Sequence, residues 1–371
     1  MKALTAQIGS LLGCLACLYG LLWAVSIAIF PPAMSDASLD TSQASHTLYM
    51  TEPRYIYLNR APLELPGAKV ILVGASNTVV GFRQHDLAPL IRNARVDNLA
   101  IGGANVTEMA QVVDLALHTE NASSRRQTTF VLGIWYGMFG SNQDWWFSPD
   151  RHGGDTDIDI ERYRYGFCWR TGQGPLSLVS PQYIGAAALA IHPYLVAEKL
   201  VRDTTTFIDV RLLGKAAMRT EQQRNEASVD EPGRSRAISY WENRLGPSGS
   251  IPPEQFDALQ QLIGALVSTG ANVVLVDLPL PKWHAERSPY LASYYQQLMP
   301  IVDAFQGLPR FRFMRLKGLS DDADFSDEVH PKPKISAEWS RQLANVLNQT
   351  ASEEVSRDAE LAAATSAGPI I

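Results

Sequence analysis

The chain has 371 residues, 46% of them hydrophobic and 19% charged, which suits a large globular domain with additions and excludes a wholly disordered protein. Its net charge of -6, with no cluster of Lys and Arg, excludes nucleic acid as the expected partner, because phosphate binding needs a basic surface. With only three cysteines, two of them (Cys14 and Cys17) in one apolar run, no disulfide framework is expected, and no Cys/His spacing suggests zinc or another metal.

From Leu4 to Phe30 there is no charged side chain, and the run from Leu11 to Phe30 is almost wholly apolar. A helix of that length crosses a hydrocarbon core of about 30 Å, so residues 1–30 are read as a signal anchor with the membrane contact at residues 4–30. Ala33-Met34-Ser35 would suit cleavage, but the apolar run exceeds that of a usual signal peptide, and a retained anchor is favoured. Lys2 precedes the run and Asp36 and Asp40 follow it. This places the N-terminus on the cytoplasmic side and the rest outside, as an inner-membrane protein with one span and a periplasmic domain.

Residues 31–66, rich in Pro, Ser, Thr and Ala, read as a stalk with a little local structure. A first strand follows over Lys69–Gly74, then a helical pattern over Phe82–Arg92, and a second strand over Arg95–Ile101 closed by Gly102-Gly103. A helix is expected over Val106–His118 and a third strand over Thr129–Trp135. The rhythm breaks over residues 141–252, read as an insertion or cap containing an Ala-rich helix over Ile184–Arg202. It resumes with a helix (Glu254–Ser268), a strand (Asn272–Leu278), a helix (Tyr290–Phe305), a strand (Phe311–Leu316) and a last helix (Ile335–Leu347). The alternation predicts an α/β domain, residues 67–140 and 253–349, whose parallel sheet is flanked by helices. Residues 350–371, low-complexity Ala, Ser and Glu, are expected to be disordered.

In such a sheet, ligand sites form beyond the carboxyl ends of the strands. Ser76 follows the first strand, and Asp327-Glu328-Val329-His330 lies near the end of the chain. A serine hydroxyl becomes nucleophilic when a base takes its proton: His330 is the candidate base and Asp327 the group that fixes its tautomer. Oxyanion donors are expected from the backbone of Ser76 and Gly103, with Asn105 adding a side-chain donor. Asn105 is equally an N-cap for the following helix, and Gly102-Gly103 equally a turn. Asn77, Trp135 and Tyr136 stand at the ends of strands at the same rim and are candidates for binding substrate, Asn77 being equally a polar turn residue. Trp145, Trp146 and Phe147 suit either a sugar ring or a buried anchor. Asp277 ends a strand at the same rim and reads as a turn or capping residue, with a helper carboxylate as the alternative, and His85, His118, His152, His192 and His284 read as surface or structural residues.

The order of these residues resembles the SGNH/GDSL hydrolase superfamily. Gly74-Ala75-Ser76-Asn77 stands for its first block, Asn98 to Gly103 for its second, and Asp327-Glu328-Val329-His330 for its last. The third block's asparagine has no clear counterpart, since Trp135-Tyr136-Gly137-Met138 follows the third strand and Asn142 lies further along. With one span and a large insertion, the chain looks like the membrane-anchored members that acylate cell-envelope polymers, such as the alginate O-acetylation proteins and the D-alanyl transfer protein of teichoic acid synthesis. The resemblance implies a cofactor-free serine acyl-enzyme that passes an acetyl or related group to a polysaccharide hydroxyl, often beside a multi-span membrane acyltransferase. An acetylesterase and a non-catalytic glycan-binding or assembly protein on the same scaffold are the alternatives.

Overall fold

The computed structural model describes residues 2–31, 38–119, 122–142, 154–172, 174–215 and 219–366. They form two compact units, one of residues 1–37, 43–65 and 157–218, the other of residues 38–42, 66–156 and 219–371.

The second unit holds a five-stranded parallel sheet in the order β2-β1-β3-β6-β7: β1 (Lys69–Gly74), β2 (Arg95–Asn98), β3 (Thr128–Ile134), β6 (Asn272–Asp277) and β7 (Phe311–Arg315). Every residue of β1 and β6 is buried, as expected for near-continuous apolar strands covered on both faces. Register is parallel throughout, with Gly74 beside Gly133 and Ile134 beside Asp277. The helices are α4 (Ser76–Gly81), α5 (Gln84–Leu87), α6 (Val106–Leu117), α7 (Ala122–Arg126), α11 (Glu221–Glu226), α12 (Glu231–Leu245), α13 (Glu254–Ser268), α14 (Lys282–Arg287), α15 (Leu291–Phe305) and α16 (Pro333–Ser366). Among them α6 packs on α13, and α16 on α4 and α5. Beyond β2, an extended segment adds to the sheet edge: Asp40 bridges Asn98, and the Leu39 N–H donates to Asp97 Oδ1 at 2.8 Å.

The first unit contains α1 (Lys2–Ile29), α2 (Glu52–Leu58), α3 (Ala61–Glu64), α8 (Asp157–Arg164), the hairpin β4 (Cys168–Thr171) and β5 (Gly174–Ser177), α9 (Ile184–Ala190) and α10 (His192–Phe207). Leu4–Ile29 is long and apolar enough to span a membrane. Arg54 is the unit's polar centre, donating to Glu161 at 3.2 Å and Glu198 at 2.9 Å. Burial raises the Glu161 carboxyl, and Arg54 opposes that.

Several expectations are revised. Of the stretch read as a stalk, residues 52–58 form a packed helix: Tyr55, Ile56, Tyr57 and Leu58 of α2 are buried. The stretch read as one insertion is divided, residues 157–218 belonging to the first unit and 219–252 to the second. The single helix expected over Ile184–Arg202 breaks at Ile191, one residue before a helix whose first turn contains Pro193. The expected helix over Phe82–Arg92 is replaced by the short α5 and a 3₁₀ turn over Ala88–Leu90. The tail read as disordered is helical through Ser366, in keeping with its Ala, Glu and Arg, while residues 367–371 lie outside the described residues.

Candidate active site

Ser76 opens α4 immediately after β1, so its backbone N–H lies in the first turn, where no intrahelical acceptor exists. Its place is fixed by close packing. A Cβ on Gly74 would lie 2.2 Å from Thr78 Oγ1 and 2.6 Å from the Gly133 carbonyl; one on Gly133 would lie 2.3 Å from the same hydroxyl. Fully buried Thr78 is thus wedged between the ends of β1 and β3, and only glycines leave room for it.

The Asp327–His330 loop follows β7 and closes on itself. Asp327 Oδ1 accepts the N–H groups of Val329 at 3.0 Å and His330 at 2.9 Å, and the Ser326 N–H donates to the His330 carbonyl at 2.9 Å. The carboxylate also faces the His330 ring, with Nδ1 at 2.9 Å from Oδ1 and 2.8 Å from Oδ2. On the other side of the ring, Nε2 is 2.8 Å from Ser76 Oγ. With Nδ1–H donated to Asp327, Nε2 has its lone pair free to accept the serine proton.

Burial works against charge on both partners and is outweighed in both. Burial lowers His330, but the hydrogen bond and charge of Asp327 leave it above its ordinary 6.5. Burial raises Asp327, but His330 and the two backbone N–H groups leave it below its ordinary 3.8.

A second histidine supports the loop. His284 on α14, fully buried, lies 2.6 Å by Nδ1 from the Glu328 carbonyl and 2.5 Å by Nε2 from the Tyr136 hydroxyl. Burial lowers its pKa to about 4, against the bond to Glu328 and the charge of Asp327. The ring is therefore neutral near pH 7, donating to the carbonyl and accepting from the tyrosine. Sequence gives no spacing that ties His284 to residue 328; only the fold joins them.

The other candidates divide. Gly103 stands after β2 at φ +78, a left-handed position that glycine favours. Asn105 caps α6, its Oδ1 accepting the Glu108 N–H at 3.1 Å, while its Nδ2 donates to Asn142 Oδ1 at 2.6 Å. Asn142, beyond β3, is thereby linked to a residue beyond β2, and β1, which delivers Ser76, lies between those strands. Asn77 departs from the expected substrate contact: its side chain is completely buried, and its amide finds no partner among the described residues. Trp135 and Tyr136 are also buried, among Trp241, His284 and Tyr290. They line a cavity of about 220 Å³ with Asp277, Tyr294 and Arg315. Asp277 is a structural carboxylate, accepting from Tyr294 at 3.0 Å and pairing with Arg315 at 2.9 Å. Trp145, Trp146 and Phe147 lie outside the described residues.

No protein-family model matches the chain, and no curated protein matches its sequence. Geometry at Ser76, His330 and Asp327 therefore carries the functional argument.

Proposed function

We propose that this protein is a membrane-anchored serine acyltransferase of the SGNH hydrolase type, acting on the hydroxyl groups of a cell-envelope polysaccharide. The observation that carries the reading is the continuous hydrogen-bonded path from Asp327 through His330 to Ser76. Ser76 Oγ attacks the donor's acyl carbon while His330 Nε2 takes its proton. Collapse of the tetrahedral intermediate expels the donor's leaving group, which receives that proton from His330. The acyl-serine is then attacked by a sugar hydroxyl, whose proton passes to His330, and Ser76 is regenerated. Asp327 stays ionised and stabilises the transient imidazolium. The backbone N–H of Ser76 at the start of α4 is the first oxyanion donor, with Gly103 and the Asn105–Asn142 pair on the adjoining loops. In this reading α1 is the single span, with the catalytic unit outside the cytoplasmic membrane and a multi-span acyltransferase as a partner that supplies acyl groups.

Hydrolysis is a second reading, favoured by the exposure of the trio: the side chains of His330 and Asp327 are 27% and 37% accessible, so water reaches the base. Treatment of the full-length protein with a fluorophosphonate probe tests the common chemistry. Labelling that disappears in Ser76→Ala supports it, and a wild type that never labels overturns it. Turnover of an acetyl ester with and without added oligosaccharide then separates transfer from hydrolysis. Glycan binding without any turnover would select an assembly role.

A further inference from the structure

The helices α9 and α10 carry apolar side chains outward as well as inward, where Ile184, Ala188, Leu195 and Val196 are buried. The chain carries no Asp, Glu, Lys or Arg between Arg170 and Glu198. On α10 the charged residues are held by the first unit itself: Glu198 pairs with Arg54, Lys199 with Asp203 at 2.7 Å, and Arg202 donates to the Met50 carbonyl at 2.9 Å. Outward on the same helix and its continuation, Tyr194, Val201, Ile208 and Leu212 recur at helical spacing and are 55%, 67%, 40% and 70% exposed. Between them the hydroxyls of Thr204 and Thr205 donate to the carbonyls of Leu200 and Val201 at 2.7 and 2.9 Å, which satisfies two polar groups beside that stripe, and on the continuation Asp209 pairs with Lys215 at 2.9 Å.

The corner between the two helices rests on α1. The Tyr19 hydroxyl donates to the Ala190 carbonyl, Trp23 Nε1 donates to the Leu189 carbonyl at 2.8 Å, and Ser26 Oγ is 2.8 Å from His192 Nδ1. A broken helix leaves carbonyls that water normally satisfies, and hydrocarbon cannot. Here side chains of the apolar helix satisfy them. Tyr19 lies ten residues before Ile29, about 15 Å along the helix, or about half of a hydrocarbon core.

We infer that the α9–α10 corner is a second membrane-embedded element, seated beside α1 in the leaflet from which α1 emerges and turning back without crossing. The occupant of the apolar face is lipid. Continuity with α1 argues for this, because the residues that bind the corner belong to the span itself. The inference rests on α1 spanning the bilayer and is independent of the chemistry at Ser76.

The test uses the full-length chain in vesicles of phosphatidylcholine and phosphatidylglycerol, carrying one environment-sensitive fluorophore on a single cysteine. The labelled positions are Val201→Cys and Leu212→Cys in a background with Cys14, Cys17 and Cys168 replaced by Ser. Native Cys17 alone marks α1, and Leu308→Cys, on the exposed surface of the second unit, marks water. The expected result is blue-shifted emission at residues 201 and 212, quenched by lipids carrying a doxyl group near the head group, as Cys17 is quenched by deeper doxyl groups and Leu308→Cys by neither. Emission at 201 and 212 like that at 308, with Cys17 still in lipid, overturns the inference and leaves the anchor intact. Shielding in native membranes but not in lipid vesicles overturns it in favour of a protein partner. A Cys17 probe in water overturns both the anchor and the inference.

Discussion

Tyr136 and His284, 148 positions apart, meet at 2.5 Å inside the second unit, and through the other ring nitrogen His284 holds the carbonyl of Glu328, the neighbour of Asp327. The histidine is buried as a neutral ring, which makes the unit sensitive to acid at this point. Its pKa near 4 in the fold lies below the ordinary 6.5, so the unfolded chain takes up a proton first as pH falls. The stabilisation is complete above pH 6.5 and is lost as pH drops toward 4, by about 3 kcal/mol in all. Thermal unfolding of the wild type and His284→Gln at pH 7.5 and at pH 4.5 measures it: the wild type loses more over that interval. Equal losses would refute a neutral, buried His284.

The Asp327–His330 pair sets a pH limit on reactivity. With His330 held above 6.5, fluorophosphonate labelling rises with pH to a midpoint above that value. Asp327→Asn removes the group that raises it, so the midpoint falls, and the maximal rate drops by about 10⁴-fold through loss of the correct tautomer. The pair also contributes stability with opposite limits. The raised His330 contributes fully below 6.5 and loses its contribution as pH climbs through its folded value. The lowered Asp327 contributes above 3.8 and loses its share as pH falls through its folded value.

Asn105 serves two purposes that a pair of substitutions separates. Asn105→Ala removes the cap of α6 and costs about 1 kcal/mol of stability. Asn105→Ser keeps a capping oxygen but is too short to reach Asn142, so the melting temperature is retained while labelling of Ser76 slows. Unchanged labelling in Asn105→Ser would confine this residue to capping.

Thr78 predicts an asymmetric rescue. Gly133→Ala collides chiefly with the Thr78 side chain, and Gly74→Ala collides with both that side chain and the Gly133 backbone oxygen. Each single variant is destabilised by about 1–3 kcal/mol or more, as overpacked interiors are. Adding Thr78→Ala restores most of the stability of Gly133→Ala and little of that of Gly74→Ala. Equal rescue of both would contradict the wedge.

The strands and the Asp327–His330 loop are legible in the sequence because each rests on a local signal, and the place of Ser76 follows from the end of β1. The apolar runs of β1 and β6 announce buried strands, α13 begins and ends as its periodicity predicts, and Asp327-x-x-His330 carries its own turn geometry. Trp135 and Tyr136 follow β3 as the sequence indicates, but their burial against Trp241 depends on α12, whose position no local pattern reveals. A structural role for His284 is readable, but its partner and that of Asn142 are not, because they lie 44 and 37 positions away. The break at Ile191 was missed because an alanine-rich stretch favours helix on either side of it. Helix α2 escapes a reading by composition because it lies within a stretch, residues 31–66, rich in Pro, Ser, Thr and Ala, although six of its seven residues are buried.

The helix that follows the base loop is sewn to the helix that bears the serine. Ser336 Oγ donates to the Val80 carbonyl at 2.8 Å, Arg83 donates to the Pro333 carbonyl at 2.9 Å, and the Trp339 indole covers Gly81 so closely that a methyl group there would lie 2.4 Å from it. Alcohol and imidazole therefore travel as one rigid body, aligned as soon as the chain has folded. In the proposed acyl transfer, neither side chain then has to be carried into place after folding before a donor arrives.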